Sequence, residues 1–337
     1  MNEYILKYMK KKYMFRVMAA ILIMIMVFAL KKVYDESKVE APAVAAEKFK
    51  YEYTLDAEDL TELNINWLCG SINVQVGKSK NKIEIVEYTN KRLAKKERLV
   101  YETSGNALDI KWEDAWFSLS MLNSLEKDLI ITVPKSFAKG MTKLNCQATI
   151  ADIQLKSLRP DEMRLKSVTG TIRGTSIMSL DAEVSTNAAE VFFDKITCEK
   201  LKMKNVSGGF QINQAKIQGL ELKTTSGLIN VNGQVETLLK TESVSGNVCV
   251  NLAQAPAKSE VYNVSGATQV FLPDSVGFEA FYSCFTGKFE SDYPETTEKN
   301  TAKKGSIRHG NESSKFFIET TSGNVELKKL YQIPETD

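Results

Sequence analysis

The chain has 337 residues, 44 basic and 42 acidic, and a formal net charge of +2. That balance removes the electrostatic case for a nucleic-acid partner, and the length is ample to bury the core of one large β domain or two smaller ones. The five cysteines, Cys69, Cys146, Cys198, Cys249 and Cys284, are odd in number and lack any Cys-x-x-Cys or Cys/His spacing. They read as buried free thiols rather than as a zinc site or a disulfide framework.

The first sixteen residues carry Lys7, Lys10, Lys11, Lys12 and Arg16, and an uncharged apolar run over 17–30 follows, closed by Lys31-Lys32. Fourteen residues are short for a membrane span and suit a signal-peptide core. Two features favour an anchor. Tyr13-Met14-Phe15 extend the apolar stretch, and Arg16 and Lys31 can snorkel to the headgroups. The alanines that would serve a signal peptidase lie at 41–46, far beyond the apolar core, and no cysteine follows the run to carry a lipid. The expectation is a transmembrane signal-anchor helix over 13–30, with a cleaved signal as the alternative. By the positive-inside rule residues 1–12 are then cytoplasmic, 31–55 form a tether, and the remainder is extracytoplasmic.

Residues 60–135 alternate apolar and polar side chains in short runs. Leu63, Ile65 and Trp67 lead into Cys69-Gly70, and Ile72, Val74 and Val76 follow, which reads as strand, tight turn, strand. Further strands are expected near 83–86, 99–101 and 108–112, and one over 128–133 stops at Pro134. Between the last two lies an aromatic insertion with Trp112, Trp116 and Phe117. It reads either as a binding surface or as the cap that the open end of a repeat stack requires.

From 141 to 330 the chain repeats. Turn glycines stand at Gly170, Gly208, Gly227, Gly246, Gly266, Gly287 and Gly323, with Ala151 and Ala189 in equivalent places. The interval is 19 residues from 151 to 246, then 20 and 21. A fixed period near 20 predicts stacked supersecondary units, here called rungs. Five residues before the turn stand Leu165, Val184, Met203, Leu222, Thr241 and Val261, and two after it Ile172, Val191, Phe210, Ile229, Val248 and Thr268. Residues two apart on a strand share a face, so each rung offers two strands with apolar residues turned inward. Three before the turn, Ser167, Thr186, Asn205, Thr224, Ser243 and Asn263 form a polar column expected to bond the turn. The outward column six before the turn reads Arg164, Glu183, Lys202, Glu221, Lys240, Glu260, alternating in sign at every step. Rungs about 4.8 Å apart would set each charge between opposite ones, so the order predicts in-register stacking. The gap between the last two turns holds a polar stretch, 291–314, expected to be a loop or an irregular rung. The fold class is therefore all-β, a single-stack β-solenoid of two-strand rungs of about 19 residues, with an N-terminal transmembrane helix.

The TSG and VSG turns, the strand–turn–strand at 63–76 and the strand ending at Val133-Pro134 together resemble the bacterial putative-adhesin β-strand repeat family, also called the toastrack domain, over roughly 60–330. The short basic N-terminus and single span ahead of it resemble the membrane-anchored members linked to the Lia and phage-shock envelope stress systems. The resemblance implies a β-solenoid displayed outside the membrane, without a known enzymatic activity. Ala151 and Ala189 depart from the pattern, as does the long stretch before the last turn.

The lone histidine, His309, lies in the polar stretch, a poor setting for the positioned imidazole of a catalytic triad. No GxSxG, Walker A, HExxH or GGxGxD pattern occurs. No catalytic, metal-binding or cofactor-binding residue is assigned. The expected function is a non-enzymatic interaction module in cell-envelope stress sensing or relay, its partners the membrane through 13–30 and either envelope-stress membrane proteins or cell-wall polymer. The alternative is an adhesin or scaffold for wall or host material. A polysaccharide-active enzyme would need a same-sign charged groove, and the alternating column speaks against that.

Overall fold

The computed structural model describes residues 48–112, 125–294, 303–311 and 313–330. Period-two alternation converts most of them into strands. The first group is β1 (Phe49–Asp56), β2 (Glu62–Val76), β3 (Lys82–Thr89), β4 (Val100–Ser104), β5 (Ala107–Lys111) and β6 (Lys127–Val133). The repeats give β7 (Lys143–Lys156), β8 (Glu162–Thr175), β9 (Ile177–Phe193), β10 (Ile196–Ser207), β11 (Phe210–Ser226), β12 (Ile229–Ser245), β13 (Val248–Leu252), β14 (Lys258–Ser265) and β15 (Thr268–Leu272). The last group is β16 (Phe278–Cys284), β17 (Phe289–Ser291), β18 (Lys304–His309), β19 (Ser314–Ser322) and β20 (Val325–Lys329). These strands hydrogen-bond into one 20-stranded sheet. Among the described residues no helix is long and apolar enough to cross a membrane; residues 13–30 lie outside them.

The repeats stack in parallel and in register. Leu201 stands opposite Leu220 and Leu220 opposite Leu239, one period apart. The inward columns are closed to solvent: Leu165, Val184 and Met203 have no exposure and Leu222 has 1%. Each such side chain contributes roughly 1.5–3 kcal/mol of burial, and a single rung could not collect it. The outward column pairs as its signs require. Arg164 lies 3.7 Å from Glu183, Lys202 3.2 Å from Glu221, and Lys240 3.9 Å from Glu260.

Two strands per rung turns out to be incomplete. A third, short ladder runs beside the two arms, in which Ile177 pairs with Ile196 and Ile196 with Ala215, then Ile217 with Val235. Ile177, Ile196, Ile217 and Val235 are at most 1% exposed, so this ladder closes a third side of the core.

Order in the stack also differs from order in the chain. The Gly266 rung, β14 and β15, stacks on β19 and β20 rather than on the Gly287 rung. Strands β16 and β17, carrying Gly287, lie beyond β19 and β20. Within 291–314, β18 forms an antiparallel partner for β16. At the other end β2 pairs in parallel with β7 on one side and with β5 and β6 on the other. Antiparallel strands finish that end: β4 on β5, β3 on β6, and β1 on β3.

The turn column explains the glycines. Gly227 has φ +148°, and a Cβ there would stand 1.9 Å from the carbonyl oxygen of Gly208 in the neighbouring rung. The same approach recurs at Gly170, Gly208, Gly246, Gly266, Gly323 and Gly287. The polar column beside the turns is buried, as the alternation predicts. Ser167 donates to the Thr169 carbonyl, Asn205 to that of Ala189, and Asn263 to those of Gly246 and Gly266. The hydroxyls of Thr186, Thr224, Ser243 and Thr320, and those of Thr241 and Ser259 deeper in the core, have no hydrogen-bond partner.

Two outcomes follow for stability. Gly227→Ala should lower the unfolding free energy by at least about 1–3 kcal/mol, whereas Gly105→Asn, at a φ of +59° with no atom within 4 Å of its Cβ, should change it by less than about 0.5 kcal/mol; denaturant melts of the two variants decide it. Thr241→Val should raise the unfolding free energy by about 1 kcal/mol, because a buried hydroxyl without a partner is replaced by a methyl group between Leu222 and Val261. A lowered melting temperature would mean that the hydroxyl is satisfied by bound water.

Candidate functional site

The two ends of the stack and one corner of it are the places where the fold gathers side chains of mixed chemistry. At the β5–β6 end, Trp112 is 9% exposed and packs edge-on against Trp67 at 5.0 Å between ring centroids. Its ring lies 4.5 Å from Lys127 Nζ. Lys127 in turn makes an ion pair of 3.1 Å with Glu87, both side chains having no exposure. Lys127 also donates to the Glu97 carbonyl at 2.5 Å, and the backbone N–H of Leu99 donates to the Glu87 carboxylate. Trp67 Nε1 donates to the Lys127 carbonyl at 3.2 Å. Trp112 therefore covers an internal charge pair rather than presenting a ring to solvent. The other two aromatic candidates, Trp116 and Phe117, lie outside the described residues.

At the opposite end the lone histidine is held in place. His309 Nε2 donates to the Asp274 carbonyl at 2.8 Å, and its ring packs 4.8 Å from Tyr293 and 5.7 Å from Phe278. Lys329 lies 2.9 Å from the Asp274 carboxylate and holds its pKa below the usual value. The group clasps the turn after β15 to β18 and β20.

The corner between the third ladder and the first arm forms a groove of about 350 Å³. Asp161, Leu180, Glu199 and Gln218 recur along it at 19-residue intervals, so it crosses four rungs. Ser179, Cys198 and Ile217 form its floor, while Met178 and Leu180 are 42% and 51% exposed at its rim. A volume in this range is that of a small-molecule or chain-binding cleft, and the direction suits an extended chain lying along the stack. Cys198 is no nucleophile here. Burial pushes its thiol up to about 12, as it does for Cys146, and pushes Cys69 up to about 11, so all three stay protonated at neutral pH. All five cysteines are free. Among the described residues no group of His, Cys, Asp or Glu is placed to hold a metal ion.

The repeat stack with its glycine turns extends over the same stretch that a family comparison recovers. Residues 60–328 match Toastrack DUF4097. The chain belongs to the toastrack family. No curated protein matches it. Among solved structures it is similar to a putative adhesin from Bacteroides fragilis, at 10% identity over 85% of this chain and 99% of that one, with a TM-score of 0.45. It is also similar to a putative lipid binding protein from Parabacteroides distasonis, at 11% identity over 84% and 97%, with a TM-score of 0.48. A putative cell adhesion protein from Clostridium sporogenes follows at 12% identity over 84% and 100%, with a TM-score of 0.22. Likenesses of this depth bring no ligand or partner over to this toastrack chain.

The groove was legible in part. Leu158, Ile177, Ile196 and Ala215 stand at 19-residue intervals, an apolar column that marks the third ladder, and the corner follows from it.

The buried pair at the β5–β6 end gives a sharp expectation. Lys127→Met removes the buried ammonium that faces the Glu87 carboxylate at 3.1 Å, and should cost about 3–5 kcal/mol of unfolding free energy. Pairing it with Glu87→Leu should recover most of that loss; a double-mutant cycle by urea denaturation checks both.

Proposed function

We propose that this toastrack protein is held at the cell membrane by residues 13–30 and presents its β-solenoid on the extracytoplasmic side, as a non-enzymatic interaction module in envelope-stress sensing or relay. The basic cluster ahead of the apolar run sets that orientation. The observation that carries the interaction role is the corner groove, an accessible cleft on a scaffold whose other features are self-contained. Arg164 with Glu183, Lys202 with Glu221 and Lys240 with Glu260 pair down the first arm, and Cys69, Cys146, Cys198 and Cys284 are buried. The partner in this reading is a membrane protein of the stress system, one of whose extended segments lies along the groove between Met178 and Leu180. No nucleic-acid partner is proposed. A second reading, a scaffold or adhesin that binds wall or host surface material, is favoured by one uncharged face of the second arm.

Cells lacking the protein should show altered sensitivity to membrane-active antibiotics and an altered stress-reporter response. Wild-type protein should restore both, and Leu180→Asp, at equal abundance, should not. Unchanged sensitivity and reporter output on deletion would overturn the stress reading.

A further inference from the structure

The outward side of the second arm differs from that of the first. In the four rungs turning at Gly208, Gly227, Gly246 and Gly266 its outward positions are Gly209, Gln211 and Asn213, then Leu228, Asn230 and Asn232, then Asn247, Cys249 and Asn251, then Ala267, Gln269 and Phe271. None is charged, in a chain where 26% of residues are. Gln211 stands opposite Asn230, Asn230 opposite Cys249, and Cys249 opposite Gln269, while Asn232 stands opposite Asn251. Phe192 borders the patch on one side; on the other, Phe271 stands at the edge of its last rung and Gln269 Nε2 donates to Glu326 of β20 at 3.0 Å.

The amides are organised within strands as well as between rungs. Gln211 Nε2 donates to Asn213 Oδ1 at 3.0 Å, and Asn232 Nδ2 to Asn230 Oδ1 at 3.4 Å. These pairs lie along one strand and add nothing to stacking. Between neighbouring rungs Asn251 Nδ2 donates to Asn232 Oδ1 at 2.5 Å, and the Ala267 backbone N–H donates to Asn247 Oδ1 at 3.0 Å. An amide has two N–H donors and a carbonyl with two lone pairs, so each keeps donor or acceptor capacity toward solvent after these bonds. The result is a flat array of neutral donors and acceptors, spaced about 4.8 Å across rungs and about 6.6 Å along each strand.

We propose that this face binds an uncharged, hydroxyl-rich polysaccharide strand. Hydroxyls are both donors and acceptors, as amides are, and an uncharged surface gives no advantage to an anionic or cationic polymer. A protein partner would be expected to meet aromatic or arginine anchors at the centre of the contact, and here the two phenylalanines stand at the margins. The inference rests on the second reading above, binding of surface material, and names its ligand class.

Titration calorimetry on the detergent-solubilised full chain tests it, with chitohexaose and dextran as uncharged probes and heparin as the charged control. At least one neutral probe should bind with submillimolar affinity and little dependence on salt. Asn230→Ala combined with Asn251→Ala should weaken binding at least tenfold while the melting temperature stays within a few degrees. If that pair unfolds the protein, Asn232→Asp, which puts one charge on the face, should weaken binding alone. No heat with any neutral probe, a preference for heparin, or binding indifferent to these variants would overturn the proposal. Leu180→Asp, in the corner groove, should leave this titration unchanged, so a failed glycan face is distinguished from a failed groove.

Discussion

Everything in this structure depends on the closeness of the turns. Rungs hydrogen-bonded in parallel stand about 4.8 Å apart, and at each corner the carbonyl of one turn enters the space a Cβ would fill in the next. At Gly323 that approach is 2.0 Å from the Gly266 oxygen, and at Gly246 it is 2.1 Å from the Gly227 oxygen. Once the turns fix the vertical register, every other column follows: apolar side chains superpose inward, and the charges alternate outward. Ala189, fully buried in the same column, shows that one rung can break the rule. The turn that follows it, at Gly208, retains the glycine and accommodates the Ala189 carbonyl.

A parallel stack cannot end on itself, because its last rung exposes a row of unpaired backbone groups. The chain meets this in the same way at both ends. The outermost rung comes from an interior segment, β5 and β6 at one end and β16 and β17 at the other. Antiparallel strands from neighbouring segments then cover both strands at the first end, β4 on β5 and β3 on β6, and β16 at the second, through β18. The strands nearer the chain ends, β2 and the pair β19 and β20, are tucked one rung inward, where they pair on both sides. A strand paired on both sides resists fraying better than one at an edge, and the charge pair of Lys127 with Glu87 pins one of the outer rungs from within.

Register was legible in the sequence, whereas order was not. Leu220 and Glu221 could be placed inward and outward from the period alone, and both stand where the columns put them. The place of Gly287 could not be read that way. Gly266, Gly287 and Gly323 all fit the same columns, so the pattern accepts either order, and the decision lies in how the antiparallel strand β18 covers β16. The third ladder was hidden by its length, since three residues carry too little alternation to declare a strand. From the sequence Trp112 could belong to a binding surface or to a cap, because the buried cation beneath it, Lys127, is supplied by a strand that follows the insertion.

The polar column inside the stack shows what repetition costs. A serine, threonine or asparagine three residues before each turn suits the corner, and Asn263 uses its amide nitrogen there, donating to two turn carbonyls and to the Thr268 hydroxyl, while its Oδ1 has no partner. Thr186, Thr224 and Ser243 occupy the same place without a partner. A side chain that serves one rung is thus inherited in rungs where it serves less, each buried hydroxyl carrying a penalty of about 1–3 kcal/mol if nothing satisfies it. The stack tolerates this because the loss in one rung is small beside the apolar burial that its two neighbours share with it. The outward faces bear no such constraint. Charge alternation on the first arm and amides on the second are free to differ, and it is on those faces, rather than in the repeated geometry of the turns, that recognition by this scaffold has room to be specific.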